Sequence, residues 1–104
     1  MKYRFQFLQL AQIDLQDVID YLAQYSIDAA QEFLDELDKR LLQVCHFPKS
    51  CEVYCHNPTL RRLVIDKYLV FYEANEKSQV ISVYRILHSS RNIGKSSLLG
   101  DMDN

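Results

Sequence analysis

The apolar positions of this chain change period as it proceeds. Residues 3–8, YRFQFL, alternate, so Tyr3, Phe5 and Phe7 share one face of a strand. The spacing then turns helical. Ala11, Leu15, Val18, Ile19 and Leu22 form one stripe, with Asp14, Asp17 and Asp20 outside it, which predicts an amphipathic helix ending near Tyr25. Ser26 and Asp28 offer capping oxygens, and Gln31 follows Asp28 at capping-box distance. A second stripe, Ala30, Phe33, Leu34, Leu37, Leu41 and Val44, predicts another helix that Pro48 stops. A break of about three residues between the two helices implies a helical hairpin.

Residues 49–59, KSCEVYCHNPT, have no period and predict an irregular connection, with a turn at Asn57-Pro58. Three strand-like runs follow at 60–66, 68–74 and 79–87, and the polar NEKS at 75–78 is a hairpin-sized link. The order is β-α-α-β-β-β. It predicts an α+β two-layer domain, with the N-terminal strand and helical hairpin packed on an antiparallel sheet. The opposite sheet face is expected to be only partly protected, and so open to a partner. Residues 1–92 are expected to form this domain and 93–104 a tail of little periodicity.

Composition narrows the class. A chain of 104 residues suits one domain, and with only two Gly and two Pro it has few breaks for long loops. No apolar run is long enough to span a membrane, and the N-terminus lacks a signal-like core. A cytosolic protein is expected. Cys45, Cys51 and Cys55 are odd in number and argue against a disulfide framework. Their spacing, with His46 and His56, matches no common zinc pattern, and no metal or cofactor is expected.

Charge is uneven. Residues 1–50 hold five bases against eight acids, and residues 60–95 hold seven bases against three acids. A mildly basic sheet is therefore expected on an acidic helical layer. The excess is small for sequence-independent nucleic-acid binding.

The candidate chemistry sits on the later strands. Residues 80–92, VISVYRILHSSRN, close an apolar run with Arg85, His88 and Arg91. With Arg61, Arg62 and Tyr72 these make a candidate target- or partner-binding set. Metal-free RNA cleavage needs a base for the 2′-hydroxyl, an acid for the leaving oxygen and positive charge at the phosphate. Glu52, His88 and Arg85 have the right types, provided they converge. A regular last strand puts Arg85 with Ile81, Val83 and Leu87, and His88 with Tyr84 and Ile86, on opposite faces. The competing reading gives Arg85 an ion pair with the acidic helices, because an unpaired charge in an apolar strand is costly.

Several pieces together resemble toxins of the bacterial RelE/ParE superfamily of type II toxin–antitoxin systems, most of all the ParE-like branch. They are A-x-x-D-L at Ala11 to Leu15, I-x-Y-L at Ile19 to Leu22, A-A-x-x-F at Ala29 to Phe33, L-R-R at Leu60 to Arg62, Y-L-V-F-Y at Tyr68 to Tyr72, and R-I-L-H-x-x-R at Arg85 to Arg91. Cys51 stands near a usual glycine, and Asn92 where an acidic residue is usual. The resemblance implies the RelE/ParE-like fold, a cognate antitoxin forming a hetero-oligomer with the toxin, and DNA gyrase as target. The alternatives it implies are a RelE-like, ribosome-dependent mRNA endonuclease, or an antitoxin-binding domain whose toxicity has decayed. The tail LLGDMDN is acidic and apolar, unlike the basic ends of the nuclease relatives.

Overall fold

A computed structural model describes residues 3–90. Its elements run β1 (Arg4–Phe7), α1 (Gln9–Ala23), α2 (Ile27–His46), β2 (Glu52–Val53), β3 (Arg61–Ile65), β4 (Tyr68–Asn75) and β5 (Val80–His88). Arg91 and the expected tail at 93–104 lie outside the described residues.

The helical hairpin follows the stripes. The Ser26 hydroxyl accepts the Ala29 N–H at 3.2 Å and so caps α2. Gln31 instead bonds Asp35 one turn on, at 2.9 Å. The acidic-to-basic order along α2 suits its dipole. Phe33, Leu37, Leu41 and Val44 are buried as the spacing required. Asp14 departs from expectation, since only 9% of it is exposed and it shares the inner face of α1 with Ala11 and Val18.

The five strands form one sheet in the order β1-β5-β4-β3-β2. β3, β4 and β5 make the expected antiparallel meander. β1 joins the edge of β5 in parallel, Phe5 opposite Ile81 and Phe7 opposite Val83, so the sheet is mixed. A parallel neighbour requires a crossover, and the helical hairpin and meander together supply it. The irregular connection contains an unforeseen strand: Glu52 and Val53 pair with Arg62 and Arg61. Two residues are too few to show a strand period. At the β3–β4 turn Asp66 has φ of 54°, a left-handed conformation that a short polar side chain tolerates.

One core lies between helices and sheet. Leu41, Leu63, Val70, Tyr72, Ile81 and Val83 are almost fully enclosed there. A second, smaller cluster lies on the other face, where Tyr54, Leu60, Phe71 and Leu87 are buried together. Residues 54–60 fold over that face. Tyr54 and Leu60 are joined by a 2.9 Å backbone bond, and the Tyr54 ring meets the Phe71 ring edge-on at 4.9 Å. The face expected to stand open thus has its centre closed by its own loop.

The regular alternation expected of the last strand breaks inside β5. Arg85 pairs with Phe71 and Val83 with Tyr72, leaving Tyr84 as the extra residue of a bulge. Beyond it the faces exchange. Ile86 lies with Ile81 and Val83 in the main core, and Leu87 lies with Tyr84 in the second. The bulge sits where β1 has ended, so the edge of β5 is bare of a strand partner. Asp14 fills that place. Its Oδ2 accepts the Ile86 N–H at 3.0 Å and the Arg85 Nε–H at 2.7 Å, and its Oδ1 accepts from Arg85 Nη2 at 3.1 Å.

Replacing Asp14 by alanine should therefore be the costliest polar truncation in the described domain. It removes a buried carboxylate from a cation and from a buried amide, and about 3 kcal/mol of unfolding free energy should go with it. Arg62→Ala removes only an exposed pair and should cost less than about 1 kcal/mol. Urea unfolding of the two variants checks the order. Equal costs would mean that Asp14 does not hold this edge.

Candidate functional site

The sequence-predicted residues separate into three places. Arg85 is held at the bulge. Its forked guanidinium meets Asp14 through two nitrogens, and the pair is largely buried, with side chains 13% and 11% exposed. This is the ion pair to an acidic helix that an arginine in an apolar strand demands. Asp14 itself escaped sequence reasoning, which placed it outside the α1 stripe. The signal was present: Ala11, Asp14 and Val18 recur at three and four, the spacing of one helical face.

His88 stands at the end of β5. Its Nδ1 lies 2.8 Å from the Ser90 hydroxyl and accepts the Ser90 N–H at 3.1 Å, which fixes the ring's orientation. The ring meets Tyr68 edge-on at 5.3 Å. With Asp14, Asp17, Val18, Tyr21 and Ile86 it lines a groove of about 240 Å³ between α1 and the end of β5. The bulge brings His88 to the helical side, so both His88 and Arg85 reach the α1 side of the strand by different routes.

The third place is the far edge. Arg62 donates to Glu52 Oε1 at 2.8 Å across the β2–β3 pair. Arg61, on the other face of β3, donates to the Cys51 carbonyl at 2.6 Å and the Lys49 carbonyl at 3.4 Å, and so pins the connection after α2. In sheet order β4 and β3 lie between β5 and β2. At about 4.8 Å per strand this sets the β5 and β2 backbones roughly 14 Å apart. The candidate nuclease set is therefore divided: Glu52 is on one side of the sheet's width, and Arg85 and His88 are on the other. Sequence supplied the residue types, but lateral strand order is not a sequence period.

Tyr72, expected at a contact surface, has no exposed area. Its hydroxyl donates to the Pro48 carbonyl at 3.0 Å. Burial, and then the adjacent Cys51 thiol, hold its phenol well above the ordinary tyrosine range, while the Arg61 cation offsets part of this. Tyr84, bonded to Glu73 at 2.9 Å, is also shifted upward, chiefly by burial. Among the described residues no three His, Cys, Asp or Glu side chains gather in a way that could hold a metal ion. Cys45 is buried, Cys51 half-buried and Cys55 exposed. Among the same residues no helix is long and apolar enough to cross a membrane.

Comparison with known proteins adds a family and a fold. Residues 5–93 match the family model described as the ParE toxin of the type II toxin–antitoxin system parDE. No curated protein matches the chain. Among solved structures it is similar to the toxin–antitoxin complex RelBE2 from Mycobacterium tuberculosis, at 16% identity and a TM-score of 0.59, over 85% of this chain and 99% of that one. It is also similar to a mutant of the E. coli toxin RelE in the free state, at 16% identity and a TM-score of 0.63, over 86% of this chain and 85% of that one. These likenesses show the α+β fold of two helices on a five-stranded sheet.

The Tyr72 environment sets an alkaline limit. Unfolded, the phenol ionises near its ordinary value of about 10; folded, it keeps its proton to higher pH. Raising pH above about 10 therefore favours the unfolded chain, and stability falls until the folded value is passed. Tyr72→Phe should flatten this decline while costing about 1 kcal/mol at neutral pH for the lost hydroxyl bond. Unfolding curves at neutral and alkaline pH, with phenolate absorbance as the second readout, measure both effects. An unchanged alkaline slope in the variant would assign the limit to other groups.

Proposed function

The chain belongs to the ParE toxin family of type II toxin–antitoxin systems, and on that premise we propose that it arrests growth by binding its target, DNA gyrase, and not by cutting a nucleic acid. The observation that carries this reading is the division of the candidate cleavage set. Arg85 Nε and Nη2 are committed to Asp14 on one side of the sheet, and Glu52, with two strands between, is committed to Arg62. General acid–base chemistry at a phosphodiester needs its acid, base and cation within hydrogen-bond reach of one reacting group. Arg61, Arg62, His88 and Arg91 are then read as contacts to the target or to a partner, with Tyr72 excluded by its burial.

In the resting state a cognate antitoxin covers the toxin. One of the similar structures is a toxin–antitoxin complex, which supports a hetero-oligomer here. Residues 1–92 act as the toxin domain in this reading.

A second reading has one observation in its favour, the fold likeness to RelE. It makes the chain a ribosome-dependent mRNA endonuclease. A cell would have to bring the missing groups together, because Glu52 and His88 do not meet in the chain by itself.

Expressing the chain without antitoxin separates the outcomes. Gyrase poisoning should give growth arrest with an induced DNA-damage response while messages stay intact. Rapid cleavage of messages at ribosome-bound codons would overturn this in favour of the endonuclease. Normal growth at confirmed soluble expression would mark a decayed toxin that keeps only antitoxin binding.

A further inference from the structure

At the opposite end of β4 from His88, where α2 runs out and β4 turns into β5, two recesses share Lys49 and Glu76 in their walls. The first, about 430 Å³, is also lined by Thr59, Arg61, Glu73, Asn75 and Lys77. The second, about 560 Å³, lies between Tyr3, Phe47 and Pro48. Neither contains Glu52, Arg85 or His88.

Arg61 is set apart from the other enclosed arginines by its surroundings. Arg40, Arg61, Arg62 and Arg85 are all half-buried. Arg40 is paired with Glu36, Arg62 with Glu52 and Arg85 with Asp14. Arg61 meets only the neutral carbonyls of Lys49 and Cys51, both through Nη1. Among the described residues no carboxylate pairs with it, and its Nε and Nη2 have no hydrogen-bond partner. Enclosing a cation without a counter-charge is costly, so this fork favours an anion. The two carboxylates of the recess are already engaged, Glu73 by the Tyr84 hydroxyl at 2.9 Å and Glu76 by Lys49 at 3.2 Å. Lys77 forms no ion pair among the described residues. Asn75 accepts the Lys77 and Ser78 amides through Oδ1, each at 3.0 Å, and its Nδ2 is left to donate.

The second recess has the opposite character. Phe47 ends α2 with 69% of its surface exposed, and Tyr3 and Pro48 wall the space beside it. The free carbonyls at the C-terminal end of a helix disfavour an anion and tolerate a neutral ring.

We infer that the joined recesses bind a nucleotide, its phosphate on the Arg61 fork beside Lys77 and Asn75 and its base against Phe47. A guanidinium fork matches two phosphate oxygens, and an exposed aromatic ring stacks any base. The sugar crosses at the Lys49–Glu76 pair. The inference goes beyond the toxin reading and stands without it. Arg61 then meets a small molecule, while Arg62, His88 and Arg91 stay available to the target.

Calorimetric titration of the full chain with AMP, GMP, CMP and UMP, and separately with adenosine and inorganic phosphate, tests it. At least one nucleotide should bind with a Kd of about 0.1 mM. Adenosine and phosphate should each bind at least about tenfold more weakly, since each keeps one of the two contacts. Phe47→Ala should weaken nucleotide binding about tenfold, and so should Lys77→Glu, about tenfold through reversed charge. Both positions are exposed, so these variants keep the test open if Arg61→Lys, which loses the fork, also loosens the chain it pins. Lys39→Glu, on α2 outside both recesses, changes net charge equally and should stay within about twofold. Amide NMR shifts on titration should centre on residues 47–50 and 75–78. Absence of nucleotide binding, an equal loss in Lys39→Glu and Lys77→Glu, or shifts centred on His88 would each overturn the inference. Phosphate binding as tightly as nucleotide, with Phe47→Ala silent, would mark an adventitious ion only and overturn it too. The growth assay is independent: a chain that causes no arrest but binds nucleotide sinks the toxin reading alone.

Discussion

The fold depends on what happens where β1 runs out. β1 is four residues long and β5 is nine, so half of β5 has no neighbour on that side. An unpaired strand edge inside a domain would leave buried amides without acceptors, at a cost of the order of 1–3 kcal/mol each. Asp14 substitutes one carboxylate for the missing strand. It accepts the Ile86 amide as a strand carbonyl would, and holds the Arg85 cation that the bulge turns toward it. α1 is thereby keyed to the last strand. The same contact decides which groups can face outward: Tyr84 and Leu87 turn to the second cluster, and Ile86 and His88 turn to the helices.

This contact also marks how far the sequence could be read. Helices, hairpin and meander were legible because each announces itself as a local period of apolar residues. Position in the sheet is not local. Nothing in RFQF says that it lies beside VISV, and nothing in the alternation of β5 announces an extra residue at Tyr84. The parity argument grouped Arg85 with Ile81 and Val83 on the premise of a regular strand, and the extra residue exchanges the faces beyond it. Asp14 was misplaced by treating charge as a sign of exposure, when its spacing from Ala11 and Val18 put it inside. Tyr72 was misjudged in the opposite direction, since an aromatic on a strand can be rim or core, and only the closing of α2 and the Pro48 carbonyl over it decides. The split of Glu52 from Arg85 and His88 follows from strand order, which a chain of this length does not print in any window.

Charge is arranged with the same economy. Most strand arginines are engaged inside the domain: Arg61 by two carbonyls, Arg62 by Glu52 and Arg85 by Asp14. The basic balance of the later strands is therefore partly structural, and the surface is less cationic than the residue count suggests. The acidic helices behave differently, because several of their carboxylates have no ion-pair partner among the described residues. The domain thus presents unsatisfied negative charge at its hairpin end and only a few free positive groups on the sheet, an asymmetry that favours different classes of partner at the two ends.

The parallel seating of β1 against β5 has a temporal consequence. β1 leaves the ribosome well before the strand that completes it, across a separation of some seventy residues like that from Asp14 to Arg85. Contacts so distant form slowly and only after the intervening chain exists. A nascent chain would carry its helical hairpin and first strand unfinished until β5 emerged. The carboxylate of Asp14 thus waits, through most of synthesis, for the amide and the guanidinium that complete it.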